Sequence, residues 1–295
     1  MKLEKMGIVV LNYNNYQVTI DCVEYILKQT IEVPIVVVDN GSKNDSLEIL
    51  TKRFSSKKQV FVCSSEENIG FSRGNNIGIK FLRDLKCENI LLINSDVFLK
   101  DKEFISRLEK IQIPENVGVV GTAIFNQMGA NQNPASGKNG YINLYILLLN
   151  LLRLKMGISS HGIFSRVRKK VVVKTSANSA DIEKKKTSNQ ILDSQHYLHG
   201  SAFILTSKFF ENFDGLYNRT FLYFEEPILS VAVRKAGLQI FYIDELSVSH
   251  LEDQSSNANG KSHSKAWVNY SIHGIREFIR VKRMPLNVLK SYMKV

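Results

Sequence analysis

The run "NILLINSDVFL" (Asn89–Leu99) is apolar almost throughout, then breaks on Asn94, Ser95 and Asp96. A near-continuous Ile/Leu segment of this length predicts a strand covered on both faces, as in a parallel sheet layered between helices. In such sheets ligands bind beyond the carboxyl ends of the strands. Asp96 is therefore either an ordinary turn residue or a ligand-holding group on the sheet rim. Neighbouring segments repeat the pattern. "GIVVLNYNN" (Gly7–Asn15), "VPIVVVDNGSKNDS" (Val33–Ser46) and "QVFVCSS" (Gln59–Ser65) predict three more strands, each ending in polar residues, and "VGVVGTAIF" (Val117–Phe125) a fifth. Helical spacing of apolar residues marks "YQVTIDCVEYILKQT" from Tyr16, "SLEILTKRF" from Ser46, "NNIGIKFLRDL" from Asn75 and "KEFISRLEKI" from Lys102. The alternation predicts an α/β fold with a mostly parallel, Rossmann-like sheet and helices on both faces.

The chain has 295 residues, 44% of them hydrophobic, enough for a substantial core. Its three cysteines, Cys22, Cys63 and Cys87, are scattered, which argues against a disulfide framework and fits a reducing compartment. The short apolar run after Met1 lacks a signal-peptide pattern, so the expected location is the cytoplasm. The net charge of +11 is concentrated. Between Arg153 and Lys186 there are ten Lys/Arg against two Asp/Glu, and from Lys261 to Val295 eight against one. Such patches favour an anionic partner. No zinc-finger, RRM or helix-turn-helix pattern accompanies them, so nucleic acid is not expected.

"NQMGANQNPASGKNG" (Asn126–Gly140) reads as a loop. "YINLYILLLNLLRLKMGI" (Tyr141–Ile158) is apolar but interrupted by Asn143, Asn150, Arg153 and Lys155, too broken for a membrane span. It predicts either a core helix or an interfacial amphipathic helix followed by the basic "RVRKKVVVK". The tail from Trp267 is basic and helical in pattern, with Trp267 and Tyr270 as possible interfacial anchors.

Chemistry concentrates in four places. Asp39 closes a buried strand before the turn residues Asn40-Gly41-Ser42. In "ENIGFSRGNNIGI" (Glu67–Ile79), Gly70 and Gly74 allow close backbone approach, Arg73 supplies charge, and Asn75 is expected to cap a helix whose N-terminus favours an anion. Asp96 alone is a poor site for a hard cation, and His250, ending "LSVSH", could add a second ligand. In "FLYFEEPILSVAVRKAG" (Phe221–Gly237), Glu225 and Glu226 open a helix behind an aromatic run. One suits the helix dipole, and the other, near Phe and Tyr, could act as a general base with a raised pKa.

Taken together and in this order, "VVLNYNN", "VVVDNGSKNDS", "ENIGFSRGNNIGI", "LLINSDVFL", "HGSAFILTSKFFENFDGL", "FLYFEEPILSVAVRKAG" and "SVSH" resemble family 2 of the inverting nucleotide-sugar glycosyltransferases, of GT-A fold. They look most like the bacterial, rhamnosyltransferase-like branch that builds cell-surface polysaccharides. The match covers about residues 6–125 and 196–255. It implies a GT-A domain over 1–255 with a variable insertion at about 126–195, and a basic helical extension over 256–295. It implies that Asn12, Tyr13 and Asp39 line a nucleoside pocket, that Asn68, Gly70, Arg73, Gly74 and Asn75 flank the diphosphate, and that Asn94 lies beside them. Asp96 would bind Mg2+ or Mn2+, with His250 completing the site. His199 and Gly200 would floor the acceptor side, and Glu226, with Glu225 beside it, would be the base. The implied donor is a UDP- or dTDP-sugar. The implied acceptor is a saccharide, often lipid-linked, met by a cytoplasmic enzyme on the inner, anionic face of the plasma membrane. The sequence departs from the family in having one acid in Asn94-Ser95-Asp96, Glu226 where Asp is usual, Ile228 in place of a further acid, and His273-Gly274 in place of Arg-Asn. These departures leave room for a non-catalytic relative that binds a sugar nucleotide or polysaccharide.

Overall fold

The apolar runs form the strands their composition predicts. The structure is a computed structural model that describes residues 1–137, 140–156, 189–251 and 265–295. Element order is β1 (Met6–Asn12), α1 (Tyr16–Ile26), β2 (Ile35–Asp39), α2 (Ser46–Phe54), β3 (Val60–Ser64), α3 (Phe71–Asp84), β4 (Asn89–Asn94), β5 (Val97–Phe98), α4 (Phe104–Lys110), β6 (Val117–Phe125) and β7 (Ala135–Ser136). There follow α5 (Tyr141–Lys155), β8 (Gln190–Ile191), β9 (His196–Tyr197), β10 (Ala202–Leu205), α6 (Ser207–Phe210), α7 (Glu225–Lys235), β11 (Gln239–His250), α8 (Lys265–Arg283) and α9 (Leu286–Ser291).

The sheet runs β3-β2-β1-β4-β10-β6-β11-β5, with β8 also paired to β11. Strands β1 to β4 are mutually parallel, and so are β6 and β11. Strand β10 runs antiparallel between β4 and β6, and β5 and β8 run antiparallel to β11. The result is a mixed α/β fold, mostly parallel, with a helical C-terminal part. Alternation along β1 divides the core. Ile8 and Val10 pack with Cys22, Leu50 and Phe104 on one face, while Val9 packs with Ile79, Leu82 and Phe209 on the other. Each such buried aliphatic side chain contributes about 1.5–3 kcal/mol.

Two details set up the site. The run "NILLINSDVFL" does not continue as one strand: it breaks after Asn94, and β5 turns away to pair with the end of β11, Val97 opposite His250. Because β10 is antiparallel, its start lies where β4 ends, and Asn94 N–H donates to the Ser201 carbonyl at 2.9 Å. The rim therefore gathers residues from β4, β10 and β11.

Three expectations change. Helix α3 starts at Phe71, not Asn75, with Gly70 as its N-cap residue. Asn75 lies a turn inside, where its amide donates to the Phe71 carbonyl at 3.0 Å, so it is not a cap. Trp267 is only 6% exposed and packs edge-on against Tyr223, and Tyr270 is half-buried and stacked on Phe221. Neither ring is an interfacial anchor. Helix α8 instead buries Trp267, Ile272, Ile275 and Phe278 in the same core cluster as Ile228 and Val233 of α7. Helix α5 is two-faced: Leu144, Leu147 and Leu151 join that core, whereas Ile142, Ile146 and Leu149 face solvent. Among the described residues no helix is long and apolar enough to cross a membrane. The basic stretch "RVRKKVVVK" lies outside the described residues.

Candidate active site

At the ends of β1 and β2, Asp39 is buried and anchored. Its Oδ1 accepts from Asn12 Nδ2 and Ser42 Oγ, both at 2.6 Å, and its Oδ2 from Ser42 N–H at 3.2 Å. Asn12 Oδ1 accepts from Thr19 Oγ1 at 2.7 Å. The Asn12 amide is thus occupied in holding Asp39 and α1, and Asp39 Oδ2 is the oxygen with capacity left for a ligand donor. Tyr13 is half-buried alongside. Asn40, which sequence reasoning passed over as a turn residue, joins the next loop. Its Nδ2 donates to Asn68 Oδ1 and the Gly70 carbonyl, and its Oδ1 accepts from Ile69 N–H.

That loop is pressed against the glutamate segment. Gly70 has φ +88°, and a Cβ there would lie 2.4 Å from the Phe221 carbonyl oxygen, so only glycine fits. The same carbonyl accepts from Phe71 N–H at 2.9 Å. Gly74 lets α3 lie against Leu11 and Asn40. Arg73 is exposed and forms no ion pair among the described residues, which leaves its guanidinium for an anionic ligand near the start of α3.

On the rim Asp96 and His250 meet. Both are buried, at 3% and 8% exposure, with Asp96 Oδ1 3.5 Å from His250 Nε2. His250 Nδ1 lies 2.8 Å from Gln132 Oε1. An amide oxygen can only accept, so Nδ1 donates to Gln132 and Nε2 is the ring nitrogen that faces Asp96. Asp96 Oδ1 is buried without a hydrogen bond. Asp96 Oδ1 and His250 Nε2 converge on one point, an oxygen and a nitrogen donor that together fit a divalent ion. No group of three or more His, Cys, Asp or Glu able to hold a metal occurs among the described residues, so the remaining ligands would come from diphosphate and water. Gln132 belongs to the loop read from sequence as variable, and nothing in its spacing marks it. Gln132→Leu is expected to weaken Mn2+ binding about 10–100-fold with nucleotide present, read by Mn2+ electron paramagnetic resonance. Unchanged affinity would remove Gln132 from the site.

His199 packs edge-on against His250, ring centroids 5.5 Å apart. Its Nδ1 accepts from Ser201 N–H at 3.2 Å and lies 2.8 Å from Ser201 Oγ. Burial first, then His250, pushes its pKa down to about 3, against the pull of Asp96. The ring is neutral. Next comes Gly200, where a Cβ would sit 2.6 Å from Glu226 Oε1. Its missing side chain lets its backbone amide reach the Glu226 carboxylate.

Both glutamates open α7 and line one small cavity with Phe71, Leu198, Phe203 and Tyr217. Burial raises Glu226, opposed by the Gly200 amide. Burial, then the charge of Glu226, pushes Glu225 up to about 8. Glu225 Oε1 is buried without a hydrogen bond. Burial and the neighbouring Glu226 charge thus both favour a proton on Glu225. Tyr223 and Phe224, immediately before, both adopt left-handed backbone, φ +75° and +72°. Each such residue costs about 1–3 kcal/mol and persists only where its surroundings enforce it. Here the enforcement comes from α8: a Cβ on Gly274 would meet the Tyr223 carbonyl at 2.6 Å, and Phe224 packs on Phe278 at 5.9 Å.

A pH test follows. In the unfolded chain Glu225 ionises near the ordinary value of about 4.3. Between there and about 8 the folded state binds more protons, so stability falls as pH rises. Glu225→Gln should match wild type in Tm near the acid end and exceed it increasingly toward pH 8, by on the order of 5 °C. A difference independent of pH would contradict the assignment.

A mixed sheet of this order, with ligand groups on the β4–β10–β11 rim, is the glycosyltransferase GT-A fold. The same architecture occurs in the mannosyltransferase PcManGT from Pyrobaculum calidifontis, solved with GDP-Man and Mn2+ (TM-score 0.56, 11% identity, 98% of this chain and 68% of that one). It occurs also in S. aureus TarS 1-349, solved with UDP-GlcNAc (TM-score 0.55, 12% identity, 98% and 69%). The chain belongs to Glycosyl transferase family 2, whose model matches residues 7–172. The glycosyltransferase GlyG of Streptococcus pneumoniae serotype 4 is 31% identical over 119 residues, 40% of this chain and 38% of that protein. The low-salt glycan biosynthesis hexosyltransferase Agl10 of Haloferax volcanii is 24% identical over 239 residues, 81% and 64%. The chain therefore spans less than two thirds of either curated relative.

Proposed function

We propose that this protein transfers a hexosyl or deoxyhexosyl group from a nucleoside diphosphate sugar to a saccharide acceptor, with inversion at the anomeric carbon. The observation that carries this is the continuous line Glu226–Gly200–His199–His250–Asp96 along one rim, a carboxylate pair at one end and the Asp96–His250 pair at the other. Asp39 Oδ2 would accept from the nucleobase, and Arg73 and the start of α3 would take the diphosphate. A divalent cation between Asp96 and His250 would supply Lewis-acid stabilisation of the leaving diphosphate. Glu226, held by the Gly200 amide, takes the proton of the acceptor hydroxyl. That oxygen forms the new bond to the anomeric carbon as the bond to the diphosphate oxygen breaks. Protonated Glu225 adds no second negative charge beside the base. The named activity of Agl10 and the nucleotide sugars bound by PcManGT and TarS support the class. UDP- and dTDP-sugars, rhamnose among them, and a lipid-linked acceptor presented at the cytoplasmic membrane surface are the narrower reading.

A thermal-shift screen of UDP-, dTDP- and GDP-sugars with Mn2+ or Mg2+, followed by hydrolysis and transfer assays on those that bind, tests it. Binding without any metal-dependent release of nucleoside diphosphate would favour the non-catalytic reading, which the two-residue protein ligand set otherwise supports. No stabilisation by any nucleotide sugar would overturn both.

A further inference from the structure

We infer that the joined surface of α5, the C-terminal half of α8 and α9 is a docking face for an anionic lipid bilayer. On α5, Ile142 (77% exposed), Ile146, Leu149 (57%) and Met156 project to solvent at helical spacing, opposite the Leu144–Leu147–Leu151 face that packs into the core. That stripe is far more apolar than a solvated helix face requires. Cations border it. Arg283 donates to Tyr145 Oη at 2.8 Å, and Arg283 and Lys282 both lie over the Tyr141 ring. From Arg283 the surface continues into an open groove lined by Arg276, Arg280 and Arg283 together with Ile279, Met284 and Val288. Apolar ridge and guanidinium groove are thus contiguous through Arg283.

Charge decides the occupant. Residues 265–295 hold seven Lys/Arg and one acid, Glu277, and 141–156 hold no acid. Glu277 is buried, hydrogen-bonded to Tyr217 Oη and ion-paired with Arg280 (Nη1 to Oε1 3.7 Å), so of the groove arginines it offsets Arg280 alone, and Arg276 and Arg283 have no acidic partner among the described residues. A second copy of this chain seated on this face would set arginine against arginine. An anionic bilayer satisfies both halves at once: acyl chains take Ile142, Ile146 and Leu149, and headgroup phosphates take the arginines in bidentate fashion. The inference deepens the reading of a membrane-held acceptor. Vesicle binding needs no turnover, so either idea can fail without the other.

The test is co-sedimentation of the full chain with vesicles of phosphatidylcholine alone and of phosphatidylcholine with phosphatidylglycerol. Wild type is expected to bind the anionic vesicles at least about tenfold more strongly, with the difference shrinking as salt rises. Arg276→Gln with Arg283→Gln, and separately Ile142→Asn with Leu149→Asn, should each lower that binding about tenfold or more. Both pairs lie outside the rim, so nucleotide-sugar thermal shifts without lipid should be unchanged. Equal binding to both vesicle types, or to neither, overturns the inference. Self-association abolished by Ile142→Asn with Leu149→Asn, without lipid binding, also overturns it and assigns the face to a second copy. Arginine-dependent capture of a purified acidic protein in place of vesicles would do the same.

Discussion

Glu226→Gln is expected to lower kcat by at least about a hundredfold while nucleotide-sugar binding stays within about twofold of wild type. The amide keeps the shape of the side chain and its contact with the Gly200 amide but cannot take a proton. General-base catalysis contributes roughly 10²–10⁴-fold, so its loss should appear in kcat rather than KM. Gly200 sharpens the result. A Cβ there would push on Glu226 Oε1, so Gly200→Ala should lower kcat in the same direction with nucleotide affinity intact. Glu225→Gln separates the two acids. If Glu225 is protonated at neutral pH, its amide is a near-neutral replacement and turnover falls far less than in Glu226→Gln. The reverse ranking would exchange their roles.

Asp96→Asn has the second largest expected effect. Removing the charge that faces His250 Nε2 should cost at least about a hundredfold in turnover, since a metal's charge stabilisation is worth several kcal/mol and each tenfold is about 1.4 kcal/mol. Two readouts besides turnover should change with it. The extra thermal stabilisation that Mn2+ adds to nucleotide should disappear. The unliganded variant should melt no lower than wild type, because Asp96 Oδ1 is buried without a hydrogen bond that the substitution could remove. A metal shift that survives Asp96→Asn would move the ion elsewhere on the rim. Lower stability of the free variant would give Asp96 a structural role instead.

The parallel half of the sheet was legible because its strands are buried on both faces and read as unbroken Val and Ile between helical spacings. Strand β10 was not assigned a direction, since four apolar residues carry no signal of polarity in the sheet; its antiparallel course is fixed only by pairing with β4 and β6. The start of α3 was misplaced because Asn75 looks like a cap, whereas Gly70, with φ +88° against the Phe221 carbonyl, ends the loop five residues earlier. The places of Asp39, Asp96, His250 and the two glutamates at strand ends and a helix start were legible. Asn40 and Gln132 were not. Each acts by bonding a loop from far along the chain, Asn40 to Asn68 and Gln132 to His250, and such pairing leaves no local pattern. Trp267 was misread because a lone Trp in a basic helix looks amphipathic until the core behind it is seen.

The left-handed pair Tyr223–Phe224 has a consequence for how the protein is made. The turn that aims both carboxylates closes against Gly274 and Phe278, fifty residues after Phe224 in the sequence. A nascent chain that has left the ribosome only as far as Glu226 carries Asp39, Arg73, Asp96 and both acids, yet nothing to hold the Tyr223–Phe224 backbone in its strained shape. In the order of synthesis, the turn that presents Glu225 and Glu226 is thus fixed only after the strands that carry Asp39 and Asp96 have already emerged.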